Sequence, residues 1–118
     1  MATGRVTRGR KSQDYVADFW REDFPDIRPV AASLPGEDLL ETPGIWFEVK
    51  ATRELNPTKA LKQARTGCPE GEYPVVIARP TGYGEAKVDK WVAMMDHDEF
   101  RRLIRELLKF RTMYGTDD

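Results

Sequence analysis

Apolar positions recur at helical spacing near both ends of this chain and alternate in its middle. After Ser12, a suitable cap, Tyr15, Val16, Phe19 and Trp20 form one stripe, predicting a helix to about Arg21 that Pro25 stops from extending. Ile27 to Ala32 reads as a first strand, with Pro29 marking an edge or an irregular start. A Pro35-Gly36 turn leads into a short second strand, Asp38-Leu39-Leu40, and Pro43-Gly44 is the tightest turn signal in the chain. In Ile45 to Ala51, period two puts Ile45, Phe47, Val49 and Ala51 on an apolar face and Trp46, Glu48 and Lys50 on the other.

Asn56-Pro57 pairs a cap with a proline at the first helical position, predicting a helix to about Thr66 that stops at Gly67. Ala60, Leu61 and Ala64 can pack, while Lys59, Lys62, Gln63 and Thr66 share a polar face. Tyr73 to Arg79 is a β-branched run suited to a buried strand. Gly82-Tyr83-Gly84 makes a loop, and Lys87 to Met95 reads as a further strand. Asp96 caps a last helix, with Glu99 at the reciprocal position and Phe100, Leu103, Ile104, Leu107 and Leu108 as its core stripe. The predicted class is α/β (α+β), a mixed central sheet flanked by helices in the order α-β-β-β-α-β-β-α. Residues 1–11 read as a flexible basic arm, 12–110 as one domain and 111–118 as a tail.

Composition narrows the class. At 118 residues, 40% hydrophobic and 33% charged, the chain fits one globular domain. No apolar run approaches the roughly 20 residues that span a bilayer. The first residues lack the apolar stretch of a signal peptide, and Cys68 stands alone, so a reduced cytoplasmic setting and no membrane partner are expected. Net charge is −1, but its distribution is uneven. Residues 1–13 carry Arg5, Arg8, Arg10 and Lys11 against no acid; residues 14–48 carry nine acids against Arg21 and Arg28. Residues 49–65 then carry Lys50, Arg53, Lys59, Lys62 and Arg65 against Glu54. Basic segments framing an acidic one suit a cation site flanked by phosphate contacts, and equally a solvated surface with uneven charge.

Phosphodiester hydrolysis needs an activated water and compensation for charge at phosphorus, and a divalent cation supplies both. Magnesium prefers hard oxygen ligands and needs only one or two protein carboxylates. Asp38 and Glu48 qualify if the two strands around Pro43-Gly44 pair as a hairpin. Lys50 shares the Glu48 face, where an ammonium can orient water or stabilise developing charge. An E-x-K triplet alone occurs often by chance, on any exposed strand. Its context gives it weight: a turn before Asp38, an apolar strand before Glu48 and a polar helix after Lys50.

These stretches, Gly36-Glu37-Asp38 and Pro43-Gly44-Ile45-Trp46-Phe47-Glu48-Val49-Lys50-Ala51, resemble the PD-(D/E)XK nuclease superfamily. More narrowly, the chain is similar to Holliday-junction-resolvase-like proteins of actinobacterial phages. The likeness extends to Arg8-Gly9-Arg10-Lys11-Ser12-Gln13, to Gln63, to Pro74 through Pro80 and to Trp91-Val92-Ala93-Met94. It implies a restriction-endonuclease-like core. It also implies metal ligation by Asp38, Glu48 and the Val49 backbone carbonyl, with magnesium as the metal and manganese as a substitute. Lys50 would be the catalytic lysine, and Gln63 a partner of Lys50 or of the scissile phosphate. Many resolvases of this group carry a glutamate where Gln13 stands here; Gln13 remains a neutral oxygen donor, and Asp14 points about 100° away on a helix. Arg5, Arg8, Arg10, Lys11, Lys59, Lys62 and Arg65 would contact the DNA backbone without reading sequence.

The expected function is therefore metal-dependent DNA cleavage, of branched DNA such as four-way junctions, by a homodimer in the cytoplasm of a cell or phage host. Two symmetric cuts call for two copies of a one-site domain. The alternatives are a nicking or repair nuclease acting on linear or single-stranded DNA, and a non-catalytic DNA-binding protein retaining the nuclease fold. The Leu- and Ile-rich last helix and Phe110, Met113 and Tyr114 are candidate interface elements.

Overall fold

The computed structural model describes residues 12–30, 36–51 and 53–114. The basic residues Arg5, Arg8, Arg10 and Lys11 lie outside the described residues, as do Ala31, Ala32 and Pro35. Residues 12–20 are helical (α1), followed by β1 (Arg28–Pro29), β2 (Leu39–Leu40) and β3 (Ile45–Lys50). Then come α2 (Pro57–Gly67), β4 (Tyr73–Ala78), a 3₁₀ segment (Glu85–Lys90), β5 (Val92–Met94) and α3 (His97–Tyr114). The result is a mixed α/β protein. A three-stranded sheet runs in the order β3-β4-β5, with β3 and β4 parallel and β5 antiparallel to β4. Pro74 is tolerated in the central strand because β5 pairs only Val76 to Ala78 of it.

The sheet carries apolar side chains on both faces. Val16 and Ala17 of α1 pack with Phe47, Ile77, Ile27 and Leu39 on one face, with Ile45 and Val49 alongside. On the other, Ala60 and Ala64 of α2 pack on Val76, with Trp46 and Met94 at the margin. Period two along β3 therefore divides the strand as expected, and Glu48 and Lys50 fall on the α2 side. Asn56 caps α2 by accepting a hydrogen bond from the Lys59 amide, with Pro57 next.

Four elements depart from expectation. The hairpin around Pro43-Gly44 is replaced by a hairpin one element earlier: β2 pairs antiparallel with β1, Arg28 opposite Leu40 and Pro29 opposite Leu39. Thr42-Pro43-Gly44-Ile45 does close a turn, the Ile45 amide donating to the Thr42 carbonyl, with Gly44 at φ +93° as a type II turn requires. Glu41, however, takes a left-handed φ of +63° between β2 and this turn, and β2 does not pair with β3. The expected strand Lys87 to Met95 begins only at Val92, because Val88 and Trp91 both join the same apolar cluster. A strand would turn residues three apart to opposite faces; one 3₁₀ turn brings them together.

The helix stop at Gly67 is different in cause. Gly67 is the last residue of α2 and lacks a left-handed φ; a Cβ there would sit 2.7 Å from Cζ2 of Trp46. The glycine makes room for an indole instead of reversing the chain. Finally, α3 extends to Tyr114, past the expected boundary at 110, and none of its residues is buried. Its Phe100, Leu103, Leu107 and Leu108 are exposed, so the expected core stripe is not core. Glu99 pairs with Arg102 rather than closing a capping box.

Candidate metal and catalytic site

The site is built on the free edge of β3. Asp38 precedes β2 and lies against that edge twice: its amide donates to the Phe47 carbonyl at 2.9 Å, and its Oδ2 accepts from the Val49 amide at 2.6 Å. A residue's N–H and C=O point to the same edge of a strand, so the Val49 carbonyl lies on the Asp38 side as well. Glu48 is 4% exposed, beneath α2, and near enough to Asp38 for each carboxyl group to alter the other's ionisation. Lys50, two residues on, donates through Nζ to Oε1 of Gln63 on α2 at 2.9 Å. It forms no ion pair with either carboxylate, yet its charge favours the ionised form of both.

Electrostatics mark the carboxylate pair as short of positive charge. Burial, then the neighbouring Asp38, pushes Glu48 up to about 7; Lys50 and the nearby Trp46 indole N–H hold the rise back. Burial also raises Asp38, against the pull of the Val49 amide and Lys50. Two neighbouring hard oxygen donors, held from full ionisation chiefly by burial, fit a divalent cation whose charge would favour the ionised form of both. Asp38, Glu48 and the Val49 carbonyl would hold it, leaving further positions to water and phosphate. Among the described residues no group of three or more His, Cys, Asp or Glu side chains comes together, so the donor set stays at two carboxylates.

The other expected residues fall in several places. Gln13 is 5% exposed on α1, and its Oε1 has no hydrogen-bond partner among the described residues. No hydrogen bond joins it to Asp38, Glu48 or Lys50. Asp14 is exposed. Lys59, Lys62 and Gln63 lie exposed on α2, and Arg65 is engaged by Asp96 at 3.5 Å. Cysteine chemistry is disfavoured, because burial and nearby acids push the Cys68 thiol up to about 11. Sequence reasoning missed Trp46 as a site residue. It sits on the Glu48 face, wedged against Gly67, with its Nε1 buried and without a full hydrogen bond. The signal was available: Trp46, Glu48 and Lys50 alternate along one strand.

The fold and site together define a mixed α/β protein with a carboxylate pair and a lysine on one strand edge. Compared with protein-family models, curated proteins and solved structures, the chain matches none. No helix among the described residues is long and apolar enough to cross a membrane.

Proposed function

We propose that the chain is a divalent-metal-dependent endonuclease that hydrolyses phosphodiester bonds in DNA. The observation that carries this reading is the meeting of Asp38 and Glu48 at the β3 edge, with Lys50 on the same strand face. Asp38 and Glu48 would hold the cation, and the Val49 amide holds Asp38 in place. When bound, the cation supplies an activated water and charge compensation at the phosphate. Lys50 presents an ammonium whose direction is set by Gln63, suited to stabilising charge that develops on phosphate oxygens. Lys59 and Lys62, exposed on the same helix as Gln63, add positive charge where a nucleic-acid backbone would approach.

Branched DNA is proposed as the substrate on the resemblance alone. The test is incubation with labelled four-way junction, flap, duplex and single-stranded DNA, in magnesium, manganese or EDTA. Metal-dependent cleavage with preference for the junction is expected. Cleavage confined to linear or single-stranded DNA would move the assignment to a nicking or repair nuclease. Absence of metal-dependent cleavage on every substrate would remove the enzymatic reading.

A further inference from the structure

Helix α3 turns the wrong face to its own protein. Its anchoring side is polar: the Arg102 guanidinium stacks 3.7 Å from the Tyr73 ring centroid, donates to the Glu72 carbonyl at 2.9 Å and pairs with Glu99. About a third of a turn away lies an uncovered apolar stripe. Phe100, Leu103, Leu107, Phe110 and Tyr114 are 48%, 37%, 50%, 56% and 63% exposed. None of them packs in either apolar cluster of the protein. Their spacing is three, four, three and four residues, the a and d positions of a two-heptad seam. The aromatic pair Phe110–Tyr114 is already assembled on the helix, with ring centroids 4.5 Å apart.

The rest of the chain offers little to cover this stripe. Residues 1–11, 31–35 and 115–118 contain Met1, Val6 and Leu34 as their only large apolar side chains. From the helix alone, independently of the metal site, we infer that α3 docks against α3 of a second copy as a short parallel coiled coil. Five half-exposed side chains of about 100 Å² each, with the flanking Ile104 and Leu108, would bury about 600 Å² per copy. That reaches the lower bound of about 1,200 Å² in total for a specific interface. Charge selects the partner and the direction. With Phe100 at a, Glu106 occupies a g position and Arg111 the e position five residues on, so parallel copies place Glu106 opposite the partner's Arg111. Antiparallel copies would bring Glu106 against its own counterpart.

Sedimentation of the full chain tests this. The wild type is expected at twice 13.6 kDa at micromolar concentration. Leu107→Glu and, separately, Phe110→Ser are expected at 13.6 kDa, with helical circular dichroism retained. Since both side chains are at least half exposed, neither change removes core packing. Arg111→Glu should weaken association about tenfold, and mixing it with Glu106→Arg should restore it. A wild type that stays monomeric to about 100 μM, or variants that stay dimeric, overturns the assignment, as does monomeric wild type binding anionic vesicles through this face. Failure of the mixture to associate overturns the parallel direction.

Discussion

Lys50 and Glu48 lie on one strand and would fail differently. Lys50 is held by Gln63 and touches neither carboxylate. Lys50→Ala is therefore expected to lower the cleavage rate by about 10²- to 10³-fold while DNA binding persists, read by single-turnover kinetics beside a binding assay. Equal cleavage by that variant would remove its catalytic role. Glu48 carries a pH prediction. Its folded pKa, about 7, is raised above its ordinary 4.5, so the native state binds the proton more tightly than the unfolded chain. The stabilisation is fully present below about 4.5 and is lost as pH rises through about 7. Without metal, the wild type should lose on the order of 2 kcal/mol across that window relative to Glu48→Gln, seen in denaturant melts in EDTA. A constant gap between the two proteins would contradict the burial of that charge. Sequence alone was enough to put Glu48 and Lys50 on one face, because strand periodicity is a local property. The proximity of Asp38 was anticipated by the wrong route: it arrives through an edge hydrogen bond, not through a hairpin, and no composition rule foretells the left-handed conformation of Glu41.

At the scale of elements, the contact between α2 and β3 fixes the site. Trp46 fills the space left by Gly67 and lies beside Glu48. Gly67→Ala would drive a methyl group into the indole, so it is expected to destabilise by about 1–3 kcal/mol. It should also weaken the magnesium-induced rise in Tm, because moving Trp46 disturbs Glu48. A variant with wild-type stability and metal response would show that the indole yields freely. Amphipathic pattern located α3 but misassigned its apolar side. Periodicity reveals that a helix has an apolar face; what covers that face depends on how the helix is anchored, here by Arg102 on Tyr73. The segment before β5 was missed for a related reason, since Val88 and Trp91 meet only once a short helical turn forms.

Across the whole molecule, Arg79 ties α1 to the loop and 3₁₀ segment that precede β5. It donates to Ser12 Oγ on α1 and to the Tyr83 carbonyl, and its guanidinium lies 5.2 Å from the Trp91 ring centroid. Arg79→Ala is expected to cost about 2–3 kcal/mol, a loss of charge-assisted hydrogen bonds measurable as a lower denaturation midpoint. Metal response should survive it, because Asp38 and Glu48 are held elsewhere. The hold on Asp38 has a second consequence. β3 is the outer strand of its sheet, and its outward amide at Val49 is an open invitation to a strand from another molecule. The Asp38 carboxylate fills that vacancy, so the residue that would grip the cation also guards the protein against joining sheets with its neighbours. Cutting the side chain back to alanine would uncover the amide, and precipitation would follow from the same change that silences the site. Asparagine, which keeps an oxygen in place to accept from Val49, separates the loss of chemistry from the loss of solubility.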